Sequence, residues 1–232
     1  MTLLTGGREQ HKPAPAPSRG PGRPGRPGRP TPLTDPSIRL SAGAAALLCT
    51  ALAARGNRVG AGEQRLFRAV NGLPDALYPP GWVVMQLGTL GAAPAAAAAA
   101  WLAGDRELAD RLVTAGSVSW LLSKGVKLVV RRDRPAILLP GTRGRGRDAA
   151  GLGYLSGHAG VAVALGAAAL PRLGRRGRAL VLAAVPAVAL MRVYVGAHLP
   201  LDIAGGGALG LAVEAGLSLI PTSRGLDPAT GA

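Results

Sequence analysis

The sequence predicts an all-α, polytopic membrane helical bundle with about six transmembrane helices. Three observations point there. Hydrophobic residues make up 48% of the 232-residue chain and aromatic residues only 3%, and the mean hydropathy is +0.25, too apolar a body for an ordinary water-soluble domain. The apolar residues gather into runs approaching the roughly 20 needed to cross a bilayer core. Between the runs lie short connections rich in Gly, Pro and Arg, a rhythm of spans and turns.

Charge then narrows the partners. The chain carries 27 basic and 12 acidic residues, a formal net charge of +15, so it should meet something anionic: a lipid headgroup, phosphate or nucleic acid. Residues 1–36 hold PAPAPSRGPGRPGRPGRPTP, in which proline removes backbone donors and fixes φ, giving an extended, solvated, basic tail that cannot pack a core. A low-complexity linker accounts for its Gly-Arg-Pro repeats, and no nucleic-acid partner is expected. Residues 37–221 form the membrane domain and 222–232 a short C-terminal tail. A single cysteine, Cys49, excludes an internal disulfide and reads as a small buried hydrophobe.

The elements follow in order. Ile38 to Ala54 is the first span, a retained anchor rather than a signal peptide because a long polar tail precedes it. Leu66, Phe67, Val70 and Leu73 recur at helical spacing among charges, which predicts a short interfacial helix within 61–78, ended by Pro74. Trp82 to Leu102 is the second span, with Pro94 expected to kink it. The others run from Leu112 to Val130, His158 to Leu170, Ala179 to Val195 and Leu201 to Ile220. Six spans return both termini to one side. The tail, Arg106, Arg111 and the Arg172, Arg175, Arg176, Arg178 loop share that side, so it is predicted to be cytoplasmic. Two basic connections disobey, one holding Arg55, Arg58, Arg65 and Arg68, the other running from Arg131 to Asp148. Both would face outside, where basic loops suit an anionic substrate.

Three clusters carry the chemistry. Lys127 and Arg134 are seven apart, so a helix continuing past Val130 would put them on one face with Arg131 and end at Pro135. A planar guanidinium fork and a compact ammonium suit a phosphoryl group, although snorkelling onto lipid headgroups fits such a stripe equally well. In GYLSGHAG, the Ser156 hydroxyl and the backbone around Gly157 stand at a helix N-terminus, where an anion can bind. His158 is the nearby group able to deliver a proton near neutral pH. A capping serine beside a packed histidine explains that stretch too. In MRVYVGAHLPLD, Arg192, His198 and Asp202 lie at the edge of an apolar run, where titratable groups are costly. An acceptor four residues on can orient an imidazole and stabilise its cation. No HExxH-type or cysteine-containing pattern accompanies the histidines, so neither a metal nor a cofactor is expected.

Taken together, the three clusters resemble the three-part signature of the type 2 phosphatidic acid phosphatase superfamily of membrane lipid phosphatases. Lys, six residues, Arg-Pro appears as KLVVRRDRP, Lys127 to Pro135. Pro-Ser-Gly-His appears as LSGH, with Leu155 for proline. Ser-Arg, five residues, His, three residues, Asp appears as MRVYVGAHLPLD, with Met191 for serine. The resemblance covers residues 38–221. It implies that His198 attacks phosphorus to form a phosphohistidine, that Asp202 holds and charges it, and that His158 protonates the leaving oxygen. It further implies that Lys127, Arg134, Arg192, Ser156 and Gly157 hold the phosphate oxygens without a metal. The implied substrates are a polyprenyl diphosphate or polyprenyl-linked phosphate, phosphatidate or phosphatidylglycerophosphate, met from the extracytoplasmic side of the cell membrane. A phosphotransferase of the same superfamily and a membrane anchor displaying the basic tail are the alternatives. The Thr142–Asp148 loop, with Arg143, Arg145 and Arg147, is expected to select the headgroup.

Overall fold

Helices arise in this chain where an apolar run meets a cap, and the cap is visible for several of them. In the computed structural model, which describes residues 35–147 and 150–220, Asp35 accepts from the Ser37 N–H at 2.8 Å and opens α1, Pro36–Ala54. Residues 1–34 of the basic tail and the C-terminal tail lie outside the described residues. The amphipathic α2, Ala61–Asn71, follows and buries Phe67, Val70 and Asn71 while Leu66 stays exposed, as expected of an interfacial helix. α3, Tyr78–Gln86, and α4, Ala92–Leu102, come next. Asp105 caps α5, Arg106–Val130, through the Leu108 N–H at 2.9 Å. The short α6, Pro135–Leu138, precedes α7, Gly157–Ala169, α8, Arg175–Tyr194, and α9, Pro200–Leu219. Among the described residues there is no strand.

Three sequence expectations need correction. The helix does not continue past Val130: Arg131 takes a left-handed conformation (φ 52°, ψ 39°) and its N–H closes onto the Lys127 carbonyl. The cause is Pro135, which forces Arg134 into extended backbone (φ −82°, ψ 160°), so the chain must unwind over residues 131–134. Lys127, Arg131 and Arg134 therefore share no helix face. The second span is likewise not one kinked helix. It breaks at Leu87–Gly91, and Pro94 falls in the first turn of α4, where its missing donor costs nothing. Cys49, expected to be buried, is exposed on α1, beside the exposed Leu48 and near Leu52.

Among the described residues, Pro36–Asn57, Arg106–Leu138 and Arg175–Tyr194 are long and apolar enough to cross a membrane. The other predicted spans correspond to the α3–α4 pair, the 13-residue α7 and α9. α9 is the central helix, packed along α1, α7 and α5. Close approach to α7 depends on missing side chains: a Cβ at Gly206 would meet the Ser156 carbonyl, and one at Gly210 the Gly160 carbonyl. This contact sets the starts of α7 and α9 side by side, and Ser156 N–H donates to the Asp202 carbonyl at 2.8 Å.

Because the obstructing atoms are backbone, Gly206→Val cannot be relieved by a rotamer change. It should destabilise the bundle by about 3 kcal/mol or more, read as a lowered thermal midpoint of the detergent-solubilised protein.

Candidate active site

The site gathers where the loop after α5, the start of α7 and the α8–α9 connection converge. Lys127, in the last turn of α5, donates its ammonium to the carbonyls of Leu152 (3.1 Å), Gly153 (3.1 Å) and Leu155 (2.6 Å). Arg134 reaches the carbonyls of Ala150, Gly151 and Ala197, the last at 2.7 Å. These two cations thus fasten the loop ahead of Ser156 to the connection ahead of His198. The local backbone explains why: unwound carbonyls in an apolar setting need donors, and two long cationic side chains supply several each.

Ser156 has no exposed surface and caps α7 by accepting from the Ala159 N–H at 3.4 Å; the Tyr154–Leu155 peptide before it is cis. Gly157 lies against the Ser123 hydroxyl. His158, one residue on, lines a cavity of about 610 Å³ together with Arg134, Arg192, Ala197, Trp82 and Arg147. Arg192, in the last turn of α8, touches the Met85 sulfur at 3.6 Å, and its buried Nε has no partner. A guanidinium left with unused donors beside a cavity is ready for an anion. His198 and Asp202 stand behind this wall, only 3% and 0% exposed, and the His198 N–H donates to the Arg192 carbonyl at 3.2 Å. Lys127, Arg134, Arg192 and Asp202 lie close enough for their charges to interact.

The pairing of His198 with Asp202 is looser than a hydrogen bond. Nδ1 and Oδ2 are 3.6 Å apart and Nδ1 has no hydrogen-bond partner, a separation that closes as the ring gains positive charge. Burial pushes the His198 imidazole, in the connection between α8 and α9, well below its ordinary value, with Asp202 pulling it back up. The free ring is therefore neutral, with a lone pair available. Asp202 spends its other contacts on structure: Oδ2 accepts from the Leu199 N–H at 2.8 Å and Oδ1 from Arg132 at 3.0 Å.

Arg132 and Glu63 are the members that sequence reasoning missed. Arg132 is fully buried and forks onto Glu63 at 3.0 and 2.7 Å. The loop expected to choose a headgroup divides. Arg145 donates to Asp75 and to the carbonyls of Asn71, Leu73 and Tyr194 and stacks on the Tyr194 ring at 4.2 Å, so it is wall. Arg147 is exposed along the cavity, and Asp148 lies outside the described residues. Among the described residues no group of three His, Cys, Asp or Glu side chains could hold a metal ion.

A buried histidine–carboxylate pair thus stands behind a cavity lined by arginines and a second histidine, inside an all-helical bundle with membrane-crossing helices. A family model described as the PAP2 superfamily matches residues 108–225, more than half of the chain, and the chain belongs to that superfamily. Two solved structures share the fold. LpxE of Aquifex aeolicus superposes with a TM-score of 0.63 at 20% identity, over 71% of this chain and 98% of that one. The first transmembrane PAP2 type phosphatidylglycerolphosphate phosphatase from Bacillus subtilis superposes with a TM-score of 0.61 at 18% identity, over 76% and 92%. No curated protein matches the chain.

Removing Arg145 takes a donor from the carbonyls of Asn71, Leu73 and Tyr194, the last of which the Asn71 amide also serves. Arg145→Ala should cost about 3 kcal/mol, whereas Arg147→Ala should stay within about 0.5 kcal/mol of the parent. Thermal unfolding of both variants in one detergent compares them directly.

Proposed function

We propose that the protein is a membrane lipid phosphatase that hydrolyses a lipid phosphate or diphosphate through a phosphohistidine at His198. The observation that carries this reading is a buried imidazole backed by a carboxylate, beside a cavity lined by Arg192, whose Nε has no partner. The His198 lone pair attacks phosphorus as the phosphorus–oxygen ester bond breaks. The bonding electrons leave with the departing oxygen, which takes a proton from His158. Arg192 and Arg134, which line the cavity, hold the equatorial oxygens while charge redistributes, and Lys127, its ammonium bound to carbonyls, adds its positive charge from behind. Water then attacks phosphorus, gives its proton back to His158 and breaks the phosphorus–nitrogen bond, releasing inorganic phosphate.

A second cavity supports a lipid rather than a soluble ester. About 880 Å³ in volume and walled by the alanines of α4 with Leu165, Val181 and Val185, it shares Gln86 and Thr89 with the arginine-lined cavity. A phosphate in the polar cavity can thus carry a hydrocarbon chain into the apolar one. The Bacillus subtilis neighbour is a phosphatidylglycerolphosphate phosphatase, and phosphatidylglycerophosphate joins polyprenyl diphosphate, polyprenyl-linked phosphate and phosphatidate in the panel to test. The bias of basic loops places the basic tail in the cytoplasm and the site on the extracytoplasmic face.

The test is phosphate release by the purified protein from that panel in EDTA. Release is expected to resist the chelator and to fall on the order of 10³-fold or more in His198→Ala and about 10²-fold in His158→Ala. Full release by His198→Ala would exclude the covalent route. Transfer of the phosphoryl group to an added alcohol in place of water would mark a transferase.

A further inference from the structure

We propose that Arg132, braced from behind by Glu63, is the positioning residue of the reaction centre: it fixes the Asp202 carboxylate so that one oxygen stays turned to His198 and stays negative. This rests on the reading of His198 as the nucleophile, since that is the ring Asp202 serves.

The geometry is one guanidinium between two carboxylates. Arg132 Nη1 donates to Asp202 Oδ1 at 3.0 Å and to Glu63 Oε1 at 3.0 Å, while Nη2 donates to Glu63 Oε2 at 2.7 Å and to the Arg58 carbonyl at 2.8 Å. The Arg132 and Asp202 side chains have no exposed surface, and Glu63 has only 7%. Glu63 Oε1 also accepts from the Leu201 N–H at 3.0 Å, so α2 grips both the guanidinium and the turn that leads from His198 into α9.

Two consequences follow. With Oδ1 pinned by Arg132 and Oδ2 shared only with the Leu199 N–H, the carboxylate cannot rotate, and Oδ2 remains facing Nδ1. One guanidinium divided between two carboxylates leaves a net negative charge, so Asp202 is held without being neutralised. Were Arg132 to serve Asp202 alone, the pair would be neutral and the imidazolium would lose its counter-charge. Lysine is a poor substitute, because a single ammonium nitrogen cannot reproduce the two-nitrogen fork onto Glu63 while reaching Asp202. The other charged and titratable groups facing the pair are Lys127 from α5, Arg134 after it, Tyr154 before α7, His158 in α7 and Arg192 from α8.

The chain has three histidines, so nitrogen-15 labelling of histidine in the full-length, detergent-solubilised protein gives an assignable spectrum, with His198→Ala fixing the His198 signals. In the parent, His198 should carry its proton on Nδ1. Glu63→Gln, which keeps the side-chain shape, and Arg132→Lys should each move the His198 ring away from that tautomer. Each should also lower kcat at least tenfold with KM within twofold. The double variant should lose no more than Arg132→Lys alone, because Glu63 acts through Arg132. The proposal is overturned if the folded variants keep the parent His198 signals and kcat, if the loss appears in KM, or if the two losses multiply. Should Arg132→Lys fail to fold, Glu63→Gln decides alone. If the parent releases no phosphate from any lipid, the phosphatase reading fails while the tautomer measurement still decides what Arg132 does.

Discussion

Cations placed inside an apolar bundle must each be given enough acceptors, and the fold around the site is the solution to that requirement. An uncompensated buried charge is worth several kcal/mol against folding. Lys127 and Arg134 meet it with backbone carbonyls, which is possible only because residues 150–156 are not helical and leave their carbonyls free. Arg132 meets it with two carboxylates, which draws α2 and α9 onto the loop after α5. Arg192 meets it incompletely, its buried Nε having no partner, and the residue lines the cavity.

The same rule operates at the far end of α9. Glu214 is 3% exposed and accepts from Arg39 of α1 at 2.6 Å and from Arg111 of α5 at 2.9 Å, with Ser218 joining on the same helix. Asp202 and Glu214 are twelve residues apart, about 18 Å along the helix. α9 is therefore pinned by buried ion pairs near both ends, while Gly206 and Gly210 between them let α7 lie close against it. Neighbouring helices are fixed in rotation by the pins and in distance by the glycines. That combination keeps the start of α7, with His158, in register with the start of α9, with Asp202.

Much of this was legible in the residue pattern, and the exceptions have physical reasons. The apolar runs found the helices, and the spacing of Lys127, Arg134, His158, Arg192, His198 and Asp202 picked out residues that the fold brings near one another. The end of α5 was legible as well, since the residue before Pro135 cannot stay helical, and the assumption of a continuing helix overlooked it. The break between α3 and α4 follows from packing instead: Gly88 lies against the His158 carbonyl, a contact between segments seventy residues apart. Arg132 was hidden among six arginines between 131 and 147 that look alike in sequence. Glu63 reads as a solvent-facing acid in the first turn of an amphipathic helix, and only the fold reveals that its neighbour is a buried guanidinium. Cys49 was misjudged because in a membrane protein an apolar helix face points outward as readily as inward.

The two departures from the family pattern can now be placed. Leu155, standing where the motif has proline, is fully buried against Val130 and Tyr154, and its carbonyl is the shortest of the three contacts to Lys127. A leucine fills the same wall and leaves that acceptor in place, so the substitution alters packing and not the charge arrangement. Met191, standing where the motif has serine, turns toward α3, where its sulfur lies against Gly81, and joins the cluster around Phe67 and Tyr194. A hydroxyl there would face an apolar cluster, and the thioether suits it better. Neither change touches Arg192, His158, His198 or Asp202. The residues of the proposed site are therefore separable from the two positions at which the motif is broken, and what those positions adjust is how α3 and the loop before α7 pack beside the arginine-lined cavity.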